Sequence, residues 1–556
     1  MCSWRHFAAA TAIGLCFALV PLPAAAQQLA QSTSRTIDQP ATQAVNRSSC
    51  TLRVGMTLAA LPTPSGGPDQ GTEGFRFMGF TAYDALINYD LSRDDVFAAL
   101  RPGLATEWVV DPQDRTRWVF TLRDNVHFHD GSVFDADAAI FNLDKILNQN
   151  APQFDPAQSA QVRWRIPGIR GYRKLDERRI EITTHGVDAT LPHQMPGLLI
   201  SSPARWREAG SWNEFAKTPS GTGPWRIEQY APRDRATLRR NEAYWDEARV
   251  PRCATLVLLP VPDAGTRTAA LLSGQVDWIE SPAPETVERL RASGMRVLTG
   301  IMPHSWPYTL NRTEGSPLND VRVRRALNLA IDRDGMVQML NGLARPAVGV
   351  VAPNSPWFGT PIFRIRHDPA EARRLLADAG YGPNNPLALR FLISTSGSGQ
   401  MYPLPMNELV QQNLAEVGVK LELEVLEWQA LRARRDAGGA AGPANRGVSA
   451  INNSWNSMDP ASAFLRHVDS RMTPPTGLNW GFINDPELDR LAAEARETFE
   501  PAAQDAVLAR LHTRMVDEAT WIFVVHDVNP RAVSARVRGV VQSQSWYVDF
   551  SPVSVE

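Results

Sequence analysis

The stretch Thr116–Leu143 constrains the fold of this 556-residue chain more than any other segment. Apolar side chains alternate with other residues over its first part, at Trp118, Phe120 and Leu122. That period of two predicts a strand with one buried face. A His-Asp-Gly turn follows at residues 129–131, and Asp135 is placed to cap a helix rich in alanine. Strand, turn and helix thus follow each other within one short segment.

The N-terminal residues have the pattern of a secretory signal peptide. Arg5 supplies a positive charge, residues 7–22 form a short apolar segment, and three alanines at 24–26 offer a cleavage site. We therefore expect residues 1–26 to be a signal peptide and the polar residues 27–49 to be a flexible leader. A membrane anchor is the alternative, although the apolar run is short for a bilayer span and ends in prolines.

Charge and cysteine content limit the class of protein. Removing the signal peptide removes Arg5 and no acid, so 56 basic and 59 acidic side chains remain, a net charge of −3. This balance argues against nucleic acid as a partner. Cys50 and Cys253 also remain, and in an oxidising compartment they either form a disulfide or stay as two buried thiols. No Cys/His cluster suggests a zinc site, and no cofactor is expected.

Several later segments combine predicted local structure with a recognisable sequence motif. Capped amphipathic helices are predicted in PLNDVRVRRALNLAID at 317–332 and in HDPAEARRLLADAGY at 367–381. The segments GTGPW at 221–225 and SGQVDWI at 273–279 each lead into a predicted strand. Together with FHDG at 128–131, these segments resemble, in content and order, the family 5 extracellular solute-binding proteins, which serve ABC importers of peptides, nickel and similar solutes.

This resemblance implies an α/β fold with two lobes, the type II architecture of periplasmic binding proteins, with an extra subdomain. We expect the first lobe to contain residues 50–90, 214–302 and 528–556. The inserted subdomain would contain residues 91–213, and the second lobe residues 303–527. The two crossings of the chain between the lobes would form a hinge that closes on a ligand.

The same resemblance implies a binding function and not an enzyme. The protein would capture a peptide-like or other small organic solute in the periplasm and deliver it, as a monomer, to an ABC permease in the inner membrane. A periplasmic sensor or chaperone on the same fold is an alternative. A secreted hydrolase would need a nucleophile–base pair, and no G-x-S-x-G, S-x-x-K or H-E-x-x-H motif occurs. His127 and His129 are possible metal ligands, but the turn is the preferred interpretation.

The segment SWNSMDP, residues 454–460, contains the strongest ligand candidates. Resemblance to peptide-binding members implies a Trp followed three residues later by an Asp that pairs with the α-amino group of a peptide. Here Trp455 is retained but the third residue on is Met458, so the amine anchor is missing unless Asp459 takes its role. We expect Trp455, Asn456 and Asp459 to contact ligand. Alternatively, Trp455 is core and Asp459 caps the next turn.

Three further residues are candidate ligand contacts. Tyr308 and Asn311 resemble a family strand at the lobe crossover, and Trp480 lies in a family-like segment near the cleft. Each has packing as an alternative role. In the loop that contributes to the cleft of family members, Ala60 and Leu61 replace an acidic position. Because this acidic residue and the Asp that would anchor an α-amino group are both missing, the cleft should prefer a neutral or anionic ligand over a cationic one.

Overall fold

The chain builds three main β-sheets, each from different segments. The structure, a computed structural model, describes residues 49–397 and 399–556. The predicted signal peptide lies outside the described residues, as does the predicted leader apart from Ser49. None of the helices in the described part of the chain has the length and apolar character that a membrane span requires.

The first sheet has seven strands and combines three separate parts of the chain. In spatial order the strands are Arg296–Leu298, Arg531–Val533, Trp278–Glu280, Thr51–Met56, Thr255–Pro260, Arg235–Arg240 and Trp225–Ala231. The strand that begins at Thr51 runs parallel to both neighbours. A disulfide joins Cys50 to Cys253, directly before two of these adjacent strands.

The second sheet lies entirely within residues 304–527. Its strands are, in order, Ala344–Pro346, Trp521–Asp527, His304–Leu310, Ala450–Asn452, Ala388–Ser394 and Lys420–Leu426, and Trp455–Asn456 pairs with the start of the third. Every residue of the strand His304–Leu310 is buried. The helix Val321–Ala330 packs its predicted apolar face into the same core, with Val323, Ala326 and Leu327 fully buried.

A third, four-stranded antiparallel sheet contains the segment that constrained the fold most. Its strands are Ala105–Val110, Arg117–Leu122, Arg179–Thr184 and Ile169–Asp176. The predicted alternation is confirmed, because Trp118, Phe120 and Leu122 are buried and the residues between them are not. The predicted cap is also confirmed: the Asp135 carboxylate accepts a hydrogen bond from the Ala138 backbone N–H at 2.8 Å.

Helices cover these sheets, and several start at a capping carboxylate. Asp368 and Asp485 accept hydrogen bonds from the first-turn N–H groups of the helices that follow them, as a helix start of this kind requires. The α-helices are Thr72–Gly74, Phe80–Ala82, Ala136–Leu147, Pro156–Val162, Leu191–Gln194, Pro203–Ala209, Trp212–Phe215, Ala264–Leu272, Val287–Ala292, Val321–Ala330, Arg333–Met339, Pro369–Asp378, Pro403–Glu416, Trp428–Asp436, Arg466–Val468, Pro486–Glu497 and Pro501–Asp517. The π-helical turns are Phe75–Gly79 and Ala461–Leu465. Two small strand pairs are Ile87–Tyr89 with Leu100–Pro102 and Val537–Arg538 with Ser554–Val555.

The FHDG turn fastens the third sheet to the first lobe. The half-buried His129 ring accepts a hydrogen bond from the Gly221 N–H at Nδ1 (3.3 Å) and donates one from Nε2 to the Gly223 carbonyl (3.0 Å). Burial lowers the pKa of His129 to about 4, so the ring is neutral and suited to both roles. A Cβ at Gly221 would lie 2.2 Å from the Ala82 carbonyl oxygen, so this loop needs glycine. His129 therefore has a structural role, because it links the turn to the loop that contains Gly221 and Gly223.

A cleft between the two lobes

A cavity lies between the first lobe and third sheet on one side and the second sheet on the other. The first wall includes Gly71, Trp164, Arg165 and Trp546. The second wall comes from the helix Trp428–Asp436 and from residues 453–456 and 462–467. The cavity contains about 620 Å³ of empty space, open solvent included, but only about 70 Å³ admits the centre of a water molecule. The two walls therefore stand close together.

Trp455 and Asn456 lie in this cavity, on a short strand held against His304 and Ser305. The Trp455 ring meets the His467 ring edge-on with 4.5 Å between centroids, and the Arg435 guanidinium lies 5.4 Å from its centroid. The Trp455 indole N–H is buried and has no partner among the described residues. Both residues are half-buried and line the cavity.

Asp459 lies at the edge of the same region, where it caps a turn. One carboxylate oxygen accepts a hydrogen bond from the Ser462 N–H (2.8 Å) and the other from the Ser462 hydroxyl (2.5 Å). Those bonds start the π-helical turn Ala461–Leu465. Met458 faces the first lobe, where its sulfur accepts a hydrogen bond from the Trp546 N–H at 3.4 Å. This arrangement corresponds to the capping role given above as the alternative.

The cavity is lined by four arginines, Arg165, Arg432, Arg435 and Arg466. None of the described residues that line it carries a carboxylate. Arg435 pairs with Asp436 outside the cavity at 2.7 Å. Arg466 donates to uncharged acceptors, namely the carbonyls of Ala461 and Trp164 and the Ser462 hydroxyl. The cavity therefore concentrates positive charge.

Arg165 and Arg432 are the least compensated of the four. Arg165 donates one hydrogen bond, to the Gln161 carbonyl at 3.3 Å, and Arg432 donates none to any described residue. Burial, together with neighbouring Arg466 and Arg432, lowers the pKa of Arg165 to about 10. The pKa of Arg432 is lowered by burial and by Arg435. Because a pKa near 10 leaves arginine charged at neutral pH, the cavity remains positive.

Indole rings, more than counter-ions, contact the guanidinium groups of Arg165 and Arg466. Arg165 and Arg466 both lie over the Trp164 ring, with their Cζ atoms 4.2 and 5.1 Å from its centroid. Such cation–π contacts fix the position of a cation without neutralising it. On the same wall as Trp164, Trp546 packs against His304 of the second lobe edge-on, with 4.6 Å between the ring centroids. The walls are thus cationic and aromatic together.

The empty space continues beyond this cavity. A second, smaller space shares Arg165 and Asn456 with it and adds Tyr89 and Tyr547. A third space, of about 220 Å³ available to water, is lined mainly by apolar side chains, including Phe97, Met302, Val351 and Trp357. The region therefore has a cationic end and an apolar end.

Three of the predicted ligand contacts lie away from these spaces. Tyr308 is fully buried in the second lobe and donates a hydrogen bond to the Asn407 side chain. The Asn311 amide donates to the Val448 carbonyl at 2.8 Å and accepts from Thr313. Trp480 is buried in a cluster that includes Leu431 and Val448. These positions favour the packing roles considered above, because none of the three side chains lines the cleft spaces described here.

No pattern in the sequence singled out the cleft arginines. Arg432 and Arg435 belong to a short, polar helical run, LRARRD at 431–436, that looks like an ordinary solvated surface. The four cleft arginines meet only because separate segments of the chain converge on the cleft. Trp and Arg occur close together at Trp164 and Arg165 and again in the helix that begins at Trp428. This pairing is the sequence pattern that could have predicted the cleft arginines.

The family of this chain follows from its sequence as a whole. Residues 99–484 match the model of the bacterial extracellular solute-binding proteins, family 5. That range covers well over half of the chain, so the chain belongs to this family, whose members serve ABC importers. The resemblance stated from the individual motifs is confirmed.

Individual relatives support the same assignment. The chain is 28% identical over 492 residues to the probable di/tripeptide-binding protein 5 of Pseudomonas aeruginosa, covering 85% of this chain and 90% of that protein. It is 26% identical over 496 residues to heme-binding protein A of Haemophilus influenzae, covering 85% and 87%. The structure of the periplasmic binding protein DppA from Helicobacter pylori, in complex with the peptide STSA, matches with a TM-score of 0.77 at 20% identity, covering 92% of this chain and 99% of that one. The predicted α/β fold of a periplasmic binding protein is confirmed.

Proposed function

We propose that this protein captures a small peptide-like or other organic solute in the periplasm and delivers it to an ABC permease of the inner membrane. It acts as a monomer and performs no catalysis. The observation that carries the proposal is the cavity with one wall from each lobe, because a site divided in this way binds by closure. The printed names of its relatives, a di/tripeptide-binding and a heme-binding protein, support a small organic solute.

The lobes of the proposal are those expected from the sequence, with residues 303–527 forming the second. The chain leaves the first sheet after Leu298 and enters the second at His304, then returns between Asp527 and Arg531. These two crossings are short and adjacent, so rotation about them would move one wall of the cavity relative to the other. Solute release to the permease would follow from the reverse rotation.

Trp455 and Asn456 are the predicted ligand contacts that we retain. The Trp455 ring is half-buried, and its indole N–H has no protein partner among the described residues. Asp459 is a weaker candidate, because both of its carboxylate oxygens already accept hydrogen bonds from Ser462. This supports a ligand that is not anchored through an α-amino group.

Native mass spectrometry of protein purified from its own periplasm tests the function. We expect a bound small molecule, visible as excess mass that disappears after unfolding and refolding. Trp455→Ala should lower the retained fraction roughly tenfold because a stacking surface is lost, whereas Trp206→Ala, a half-buried tryptophan outside the cleft, should not. If the protein carries no small molecule and periplasmic extract does not raise its melting temperature, the proposed function is wrong.

A further inference from the structure

We propose that the cavity between the lobes is an oxyanion site, and that its solute carries at least two carboxylate or phosphate groups and needs no free amine. This inference rests on the proposed function and names the class of its solute. It is carried by the four cleft arginines, Arg165, Arg432, Arg435 and Arg466, in a cavity whose described lining residues include no acid.

The position of Arg432 shows that the charge faces open space. It belongs to the second lobe, yet a Cβ built on Gly71 of the first lobe would lie only 3.8 Å from its Nη1. No other side-chain or backbone atom would lie within 4 Å of that Cβ. The guanidinium therefore reaches across the cleft toward a residue that has no side chain. The planar fork of a guanidinium fits a carboxylate or a phosphate in two parallel hydrogen bonds.

A buried arginine outside the cleft, Arg333, shows how the fold satisfies an arginine that has a structural role. Arg333 donates to the carbonyls of Ala347, Phe523, Asn328 and Ile331, so its guanidinium is satisfied by the fold. Arg165 has one long hydrogen bond and Arg432 has none to a described residue. Both side chains are half-buried, so their remaining donors face the cleft, where a bound anion can accept hydrogen bonds from them.

The nearest carboxylate does not supply the missing charge. Asp459 lines the neighbouring space, and it acts on Arg466 through space. Its oxygens are held by Ser462, and it forms no ion pair with Arg165 or Arg432 among the described residues. Arg435 is already neutralised by Asp436. Two to three positive charges thus remain for the solute, which is why one oxyanion is too few.

The aromatic walls add a second requirement. Trp164, Trp428, Trp455 and Trp546 line the same cavity, so the carbon skeleton between the oxyanions would pack against indole faces. The apolar space that begins at Met458 offers room for a further uncharged part of the solute. A cationic peptide would meet two to three uncompensated like charges and, among the described lining residues, no acid.

Titration calorimetry with defined probes tests the inference. The probes are N-acetyl-Asp-Glu for carboxylates, fructose 1,6-bisphosphate for phosphate, and N-acetyl-Asn-Gln-amide as the neutral match of the first. We expect at least one anionic probe to bind, and the neutral match to bind at least about tenfold more weakly, since each charge-assisted bond is lost. Which anion binds more tightly distinguishes a carboxylate from a phosphate solute. Failure of both anions, or equal binding of the neutral match, overturns the inference.

Variants locate the binding on the arginines. Arg165→Gln and Arg432→Gln should each lower the affinity for the anionic probe by about ten- to a hundredfold. Raised salt should also lower the affinity of the wild-type protein. Arg207→Gln, an exposed arginine on the helix Pro203–Ala209, should leave the affinity within twofold. Unchanged affinity in both cleft variants overturns the inference. A neutral or cationic solute found on the native protein also overturns it, while leaving the proposed function intact.

Discussion

Two groups of arginines in this protein differ chiefly in their counter-charges. In the first group, which we call the hinge cluster, Arg76 and Arg531 both pair with Glu280, at 2.6 and 3.2 Å, and Arg76 also approaches Glu73. All of these side chains are at most 6% exposed. In the second group, the cleft arginines, no carboxylate lines the cavity among the described residues.

The difference separates charge that serves the fold from charge that serves binding. The hinge cluster lies at the second crossing, where Arg76 also donates to the Asn529 side chain at 2.8 Å. Its charges are neutralised from within and keep the crossing attached to the first lobe. Apart from Arg435, the cleft arginines form no ion pair among the described residues, and a ligand would supply the missing counter-charge. The same residue type therefore predicts opposite phenotypes at the two places.

The largest expected effect is from Glu280→Gln in the hinge cluster. The substitution removes the carboxylate shared by two buried arginines, leaving Arg531 without an ion pair among the described residues and Arg76 with only the 3.4 Å contact to Glu73. We expect a loss of about 3–5 kcal/mol in the free energy of unfolding, measured by urea denaturation. Glu285→Gln, an exposed glutamate nearby, should change it by less than about 0.5 kcal/mol. A loss below about 1 kcal/mol in Glu280→Gln would mean that the cluster is not structural.

The pH dependence of stability sharpens the same contrast. Burial alone would raise the pKa of Glu280, but Arg76 and Arg531 offset it and hold the pKa below 4.5. A depressed carboxyl pKa contributes stability above its unfolded pKa, and this contribution is lost as the pH falls through the folded value. The stability gap between wild type and Glu280→Gln should therefore be widest above about pH 5 and narrow below it. Burial raises the pKa of Glu73, and the Glu280 charge raises it further, so Glu73 also contributes to this gap.

That gap is measured by urea denaturation at several pH values. A gap that widens on acidification would contradict the assignment. Probe binding at the cleft should behave differently, because the pKa of Arg165 near 10 keeps the site charged throughout. Between pH 6 and 8, the affinity for N-acetyl-Asp-Glu should be constant, since neither its carboxylates nor the arginines titrate there.

The sequence predicted local structure better than the site. The strand through Trp118 and the helix caps at Asp135 and Asp368 are encoded by neighbours in the chain, so periodicity and capping chemistry were enough to find them. Trp455 was found because its segment resembles a family segment. Arg165 and Arg432 come from segments more than 250 residues apart, and only the folded chain brings their charges together.

Position along a strand could not decide between ligand contact and packing for Tyr308. A family-like strand at the crossover suggested a surface facing the cleft, but the strand is central in its sheet and buried on both faces. Its side chain then packs on Phe391 and bonds Asn407 within the core. Alternation alone cannot tell which face of such a strand borders a cavity, because both faces are apolar or satisfied.

The smallest expected effect is also the most specific, and it concerns Arg432→Gln in the ligand-free protein. Since Arg432 has no hydrogen bond to a described residue and is repelled by Arg435, its removal should change the free energy of unfolding by less than about 0.5 kcal/mol, or raise it slightly. The same urea experiment that shows the loss in Glu280→Gln measures it. A loss above about 2 kcal/mol would place Arg432 among the structural arginines and would erase the contrast between the two groups. Stability that is kept while anion affinity falls is the outcome that only a binding role explains.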